Sequence, residues 1–153
     1  MSLSPLEPTQ QAAVLALEQS GRIRPVPADS QRARSFLEVA DERLGELPLI
    51  GSAVVKHGIA YDAAHDVGEA FLAAYGYATV NGAGQHAAIG DFLVAVIDAP
   101  PDAATAANGF DRARRSRNQQ NYRASPVGAS QAVGVEQVAR TLRAAADARG
   151  VGT

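Results

Sequence analysis

The segment SAVVKHGIAYDAAHDVGEAFLAAY, from Ser52 to Tyr75, contains no proline, is rich in alanine, and is followed at once by Gly76. Its apolar residues recur at helical spacing, so it is expected to form one continuous helix of about 36 Å at 1.5 Å per residue. Pro48 separates it from what precedes, and Gly76 offers a stop. So long an element with small side chains makes a natural strut for a bundle, because Ala, Gly and Val let neighbouring helices approach closely.

The rest of the chain fits around such a strut. PTQQAAVLALEQS, residues 8 to 20, reads as a short helix with Ala13, Leu15 and Leu17 spread over its faces, ended by Gly21. GRIRPVPADS reads as a connector, since each proline biases its predecessor to extended backbone, and it leads to an N-cap at Asp29 or Ser30. The next helix runs to about Leu47, with Ala33, Phe36, Leu37, Ala40, Leu44 and Leu47 forming one buried stripe. After the glycine-rich GYATVNGAG, further helices are expected from about Gln85 to Asp98, from Asp102 to Arg123, and from near Ser130 through Ala146. No segment has strand periodicity. The expected fold is all-α, an up-and-down bundle of five to six helices. It divides into an N-terminal helix and connector over 1–28, the bundle over 29–149, and a frayed tail over 150–153.

A length of 153 residues with 46% hydrophobic and only 5% aromatic content suits one domain with an aliphatic core. There is no cysteine, which excludes disulfides, thiol nucleophiles and Cys-ligated zinc. The start, MSLSPLEPTQ, has neither a basic nor an apolar leader region, and the longest apolar run, Phe92 to Ile97, is too short to span a bilayer. These features lead to an expectation of a cytoplasmic protein without membrane contact. A net charge of −2 gives no global attraction to polyanions, so any such site must be local.

Three histidines invite a search for acid–base or metal chemistry. His57 and His65 lie on one helix face but roughly 12 Å apart along the axis, too far to share an ion. Neither a metal nor a cofactor is expected. Tyr61, His65, Leu72 and Tyr75 share a face that is either a cleft wall or an interhelical seam, with the seam preferred. Asp62 and Asp66, at i and i+4, are expected on a solvated face rather than as an acid–base pair. NGAG with Gln85 and His86 sits where free N–H groups of a helix start can hold an anion, though a plain loop is the simpler reading. The phosphate-loop, dinucleotide and nucleophile-elbow patterns are absent from the sequence.

The strongest local feature is RARRSRNQQNYR, Arg112 to Arg123. On a helix, Arg114, Arg117 and Asn121 align on one face, and Arg115, Asn118 and Tyr122 on the next. Guanidinium forks bind phosphate, Asn reads base edges or backbone, and Tyr stacks on bases, so the set suits RNA or a nucleotide. A solvated helix in an arginine-biased chain gives the same pattern; Lys56 is the one lysine among 14 cationic residues.

The order AYDAAHDVGEAFLAAYGYATVNGAGQHAAIGDFL followed by RRSRNQQNY resembles HEPN domains, through Tyr61, Ala64, Leu72, Gly76, His86 and Phe92, then Arg115, Arg117, Asn118 and Tyr122. The resemblance covers roughly Arg32 to Leu142. It implies a helical bundle that dimerises. Active relatives place an Arg and a His, four to six residues apart, in a shared cleft. Here the Arg is present and Tyr122 stands at the His position, with an ordinary pKa of about 10 that fits poorly with proton transfer at neutral pH. The leading expectation is therefore a catalytically degenerate homodimer binding RNA or a nucleotide through Arg114, Arg115, Arg117, Asn118 and Tyr122. A second is a metal-independent endoribonuclease toxin paired with a nucleotidyltransferase-type antitoxin, with Arg117, Tyr122, His65 and His86 as candidate catalytic residues. A third is a structural or adaptor homodimer whose arginines pair only with its own carboxylates.

Overall fold

The structure, a computed structural model, describes residues 2–123 and 127–153, with the side chains of 121–123 outside that description. Six helices carry the chain: α1 (Pro8–Gln19), α2 (Ser30–Glu46), α3 (Ala53–Tyr75), α4 (Gln85–Val96), α5 (Pro101–Arg123) and α6 (Ala129–Ala148). The fold is an all-α bundle, and no helix among the described residues is long and apolar enough to cross a membrane.

Local chemistry sets the ends of the helices. Asp29 caps α2 by accepting the Arg32 N–H at 2.8 Å, and Ser52 caps α3 from its side chain. At the other end of α3, Gly76 adopts φ +82°, where a Cβ would lie 2.9 Å from the Val26 carbonyl. Only glycine fits there, because the turn needs left-handed backbone and leaves no room for a side chain.

That turn delivers the chain into a feature the sequence did not announce. Ile23–Pro25 (β1) and Tyr77–Thr79 (β2) form a two-stranded antiparallel sheet, with Ile23 opposite Thr79 and Pro25 opposite Tyr77. The expected connector is thus partly a strand. Three residues are too few to show a two-residue period, and the proline bias toward extended backbone is what makes the pairing available.

α3 packs against α2, α4, α5 and α6. Ala60, Ala63, Ala64, Ala70 and Gly68 bring its neighbours close, while α3, α4 and α5 each contribute a phenylalanine with no exposure to the core, Phe71, Phe92 and Phe110. α1 and the tail join the same core. Val14 and Ile23 belong to it, and Gln10 of α1 donates to the Val96 carbonyl at 3.2 Å and to Asp98 at 2.9 Å. The frayed tail expected over 150–153 is corrected: Val151 is 3% exposed, and the Gly152 carbonyl accepts from Arg34 Nε at 2.9 Å. Val151 supplies an apolar anchor that its flanking glycines obscured.

Among the helical glycines the least room is at Gly68, where a Cβ would fall 2.3 Å from Ile89 Cγ2 of α4. Gly68→Ala should therefore destabilise by about 1–3 kcal/mol through overpacking, despite the better helix propensity of alanine. At Gly58 of the same helix a Cβ meets nothing within 4 Å. Gly58→Ala should be neutral or stabilising by up to about 1 kcal/mol. Urea unfolding of the two variants side by side checks the contrast, and equal effects would refute the packing account.

Candidate functional site

Three elements converge beside the middle of α3. α3 supplies Tyr61, Asp62 and His65; α4 begins there, after Gly84 at φ +87°, with Gln85 and His86; α5 presents Arg114, Arg117 and Asn118. Between them lies an open cleft of about 490 Å³, lined by Tyr61, Asp62, Gly82, Gly84, Gln85, His86, Ala87, Arg114, Arg117 and Asn118. No side chain caps α4; Gln85 N–H donates to the Gly82 carbonyl at 3.4 Å, while those of His86 and Ala87 make no hydrogen bond among the described residues, and the dipole favours an anion at that end.

Tyr61 organises the cleft. Its ring is 1% exposed and packs 5.5 Å from Phe110, while its hydroxyl lies 2.7 Å from His86 Nδ1. Arg117 stands over the same ring, 5.1 Å from Cζ to the centroid, a cation–π arrangement. Seam and cleft wall are thus one face: Leu72 is buried in the core, and the Tyr75 hydroxyl donates to the Ser4 carbonyl at 2.8 Å.

Burial governs the titration of these groups. It pushes Tyr61 up to about 12, against the opposing pull of Arg117 and Arg114. His86 is lowered, first by desolvation and then by Arg117 and Arg114. A protonated phenol and a neutral imidazole can share this contact in either sense: the Tyr61 hydroxyl donates to His86 Nδ1 when the His86 proton is on Nε2, and Nδ1–H donates to the Tyr61 oxygen when it is on Nδ1. His65, whose ring is 4.4 Å from that of His86, is lowered to about 4 by burial and then by its neighbour.

Asp62 and Asp66 do not form a solvated face. Asp62 pairs with Arg117 of α5 and lies 3.5 Å from Arg43 of α2. Asp66 is 8% exposed, with Oδ2 2.8 Å from Arg43 Nε as an ion pair rather than an aligned hydrogen bond. Burial still raises Asp66, with Arg43 opposing it. The spacing of the two aspartates was read correctly, but their cationic partners come from other helices and cannot be seen in that spacing.

The arginine run divides. Arg114 and Arg117 reach the cleft, and Asn118 joins them from what was expected to be the adjacent face. Arg115 does not line it: its side chain is 73% exposed and pairs with Asp111 at 2.8 Å. Arg114 pairs with the same carboxylate, at 2.8 Å. The side chains of Tyr122 and Asn121 lie outside the described residues. His57 belongs elsewhere, against Ser116 of α5. Among the described residues no cluster of three or more His, Asp or Glu is placed to hold a metal ion.

In comparisons with known proteins the chain gives no significant match to a family model, to a curated protein or to a solved structure.

His65 yields a pH prediction. Its folded pKa of about 4 lies below the unfolded value of 6.5, so the unfolded chain binds the extra proton between those limits. Its contribution is fully present above pH 6.5 and is lost as pH falls toward 4. Unfolding free energy measured from pH 7 to 5 should fall by up to about 1.4 kcal/mol per pH unit more in the wild type than in His65→Gln. Parallel curves would show that His65 is not buried neutral.

Proposed function

We propose that the chain is a HEPN-like helical domain that binds RNA or a nucleotide in the cleft between α3, α4 and α5. The observation that supports this reading best is the convergence of Arg114 and Arg117 with His86 and the uncapped start of α4 around one open space. Two guanidinium groups and free helix N–H groups suit phosphate, and Asn118 offers donors and an acceptor for a base edge. Arg115 is not part of this reading, because its side chain does not line the cleft.

The internal ion pairs bear on strength rather than on the kind of ligand. Arg117 engages Asp62 and Arg114 engages Asp111. Exposed and half-exposed pairs of this sort are worth roughly 0–1 kcal/mol, so a phosphate can displace them, at an affinity well below that of a bare basic patch. With two phosphates neutralised, log K should fall against log salt with a slope of about −1.4, from roughly 0.7 per phosphate on a single strand.

A second reading, a metal-independent endoribonuclease, is favoured by the position of His86. The sequence offers no histidine at the place of Tyr122, but α4 brings one into the same cleft as Arg117. A neutral imidazole there can accept the ribose 2′-hydroxyl proton on Nε2 when its own proton is on Nδ1, donated to the Tyr61 oxygen, while Arg117 offsets charge on the attacked phosphate. The HEPN resemblance further implies a homodimer, with a nucleotidyltransferase-type antitoxin under the ribonuclease reading; a cytoplasmic setting is supported by the lack of cysteine alone.

Fluorescence anisotropy with a labelled single-stranded oligoribonucleotide, and competition by ATP, test the binding. Saturable binding should weaken about tenfold or more in Arg117→Ala and Arg114→Ala. Absence of saturable binding to both ligands at low salt would sink the proposal and leave the adaptor reading. If the oligonucleotide is cut, His86→Gln should lower the rate by about 10²–10⁴ while retaining binding.

A further inference from the structure

α5 has a second polar face, turned toward α6. There Ser116 Oγ lies 3.1 Å from Nε2 of His57, a residue with no exposure. The other ring nitrogen, Nδ1, is buried without a hydrogen-bond partner among the described residues. A neutral imidazole has one donor and one acceptor nitrogen, so one of its two functions is unmet by the protein. Burial and then Arg117 both lower the pKa of His57 and keep it neutral.

The pair borders a cavity of about 240 Å³ whose remaining wall is largely aliphatic, from Ala113 of α5 and Val135 and Val138 of α6. Gly109 and Gly134 hold the space open, and at Gly134 a Cβ would meet nothing within 4 Å. The same groove continues past Gly109, Arg112 and Gly134 into an outer section of about 550 Å³. Arg112 lines both sections and is exposed, with no acidic partner among the described residues.

We propose that the α5–α6 groove binds a small linear monocarboxylate, with its carboxylate between Arg112 and Ser116 and its aliphatic chain along Val135 and Val138. Arg112 and Ser116 are one turn apart on the same face, roughly 6 Å between Cβ atoms, a span one carboxylate bridges. One guanidinium and one hydroxyl match a single negative charge, whereas a phosphate dianion calls for more donors. The inner volume falls below the roughly 300–1,000 Å³ usual for drug-sized ligands, and the wall contains no Phe, Tyr or Trp to stack on a planar ring. The groove shares no lining residue with the cleft, so this inference does not depend on the RNA reading.

The test is titration of the full chain with octanoate, with 1-octanol as its uncharged counterpart, followed by calorimetry and by the His57 ring resonances in NMR. Octanoate should bind saturably at one site, shift the His57 resonances and bind at least about tenfold tighter than octanol; Arg112→Gln should remove that preference. Gly134→Met should fill the groove and abolish octanoate binding while leaving oligoribonucleotide binding unchanged. Lack of saturable octanoate binding, equal binding of octanol, or wild-type octanoate affinity in Arg112→Gln or Gly134→Met would each overturn the proposal. If Gly134→Met does not fold, Arg112→Gln decides it.

Discussion

Everything in this molecule is arranged around a helix that is buried on nearly every side yet carries polar side chains. The alanines of α3 and Gly68 let four other helices close on it, which leaves little water to satisfy His57, Tyr61, His65 and Asp66. A buried polar group without a partner is costly, on the order of 1–3 kcal/mol. Three of these residues meet a polar group from another helix: Ser116 at His57, His86 at Tyr61 and Arg43 at Asp66. His65 has the ring of His86 beside it, 4.4 Å away, and its Nε2 has no hydrogen-bond partner among the described residues. The cleft is the place where this network reaches the surface.

The balance of forces differs from one group to the next. At Asp66 and Tyr61 desolvation is the first cause of a raised pKa, and the nearby arginines only moderate it. At His65 and His86 burial and cationic neighbours act together in lowering it. Near neutral pH the site thus holds neutral imidazoles and a protonated phenol beside two guanidinium groups. Its fixed charges, Arg114 and Arg117 against Asp62 and Asp111, nearly cancel. Selectivity under the proposed function would come from the geometry of the forks and of the α4 start, with little contribution from a long-range field.

What the sequence showed and what it hid follow from the range of the interactions. Caps, prolines and apolar stripes are local, so all six helices were legible, with ends near their observed positions; even the expected start at Ser52 is the observed N-cap of α3. The basic run on α5 was legible for the same reason, but its division was not: the expected set of Arg114, Arg115, Arg117, Asn118 and Tyr122 includes Arg115, which turns away from the cleft, and Tyr122, whose side chain lies outside the described residues. The β1–β2 sheet was not, because its pairing joins Ile23 to Thr79 and its strands are too short to carry a period. Asp62 was misread because its partners lie on α2 and α5, and the tail because one valine between two glycines carries no pattern. His86 was visible as a helix-start residue, but only the packing of α4 against α3 puts its ring beside Tyr61.

That last contact bears on how a degenerate motif is to be weighed. The proposed HEPN resemblance leads one to expect an Arg and a His a few residues apart, and α5 itself contains no histidine. A cleft, however, is defined by distance and not by chain position, and the start of α4 brings an imidazole to the space that Arg117 faces. The hydroxyl of Tyr61 fixes one of its nitrogens, much as an orienting partner does for a catalytic histidine. Under the ribonuclease reading, the tyrosine at position 122 would then disqualify only the single-helix version of the chemistry. The two-helix version needs the tautomer in which His86 Nδ1–H donates to the Tyr61 oxygen, so that Nε2 is open to accept a proton. Burial holds the phenol protonated, near 12, so Tyr61 takes the acceptor role by rotating its hydroxyl and not by ionising.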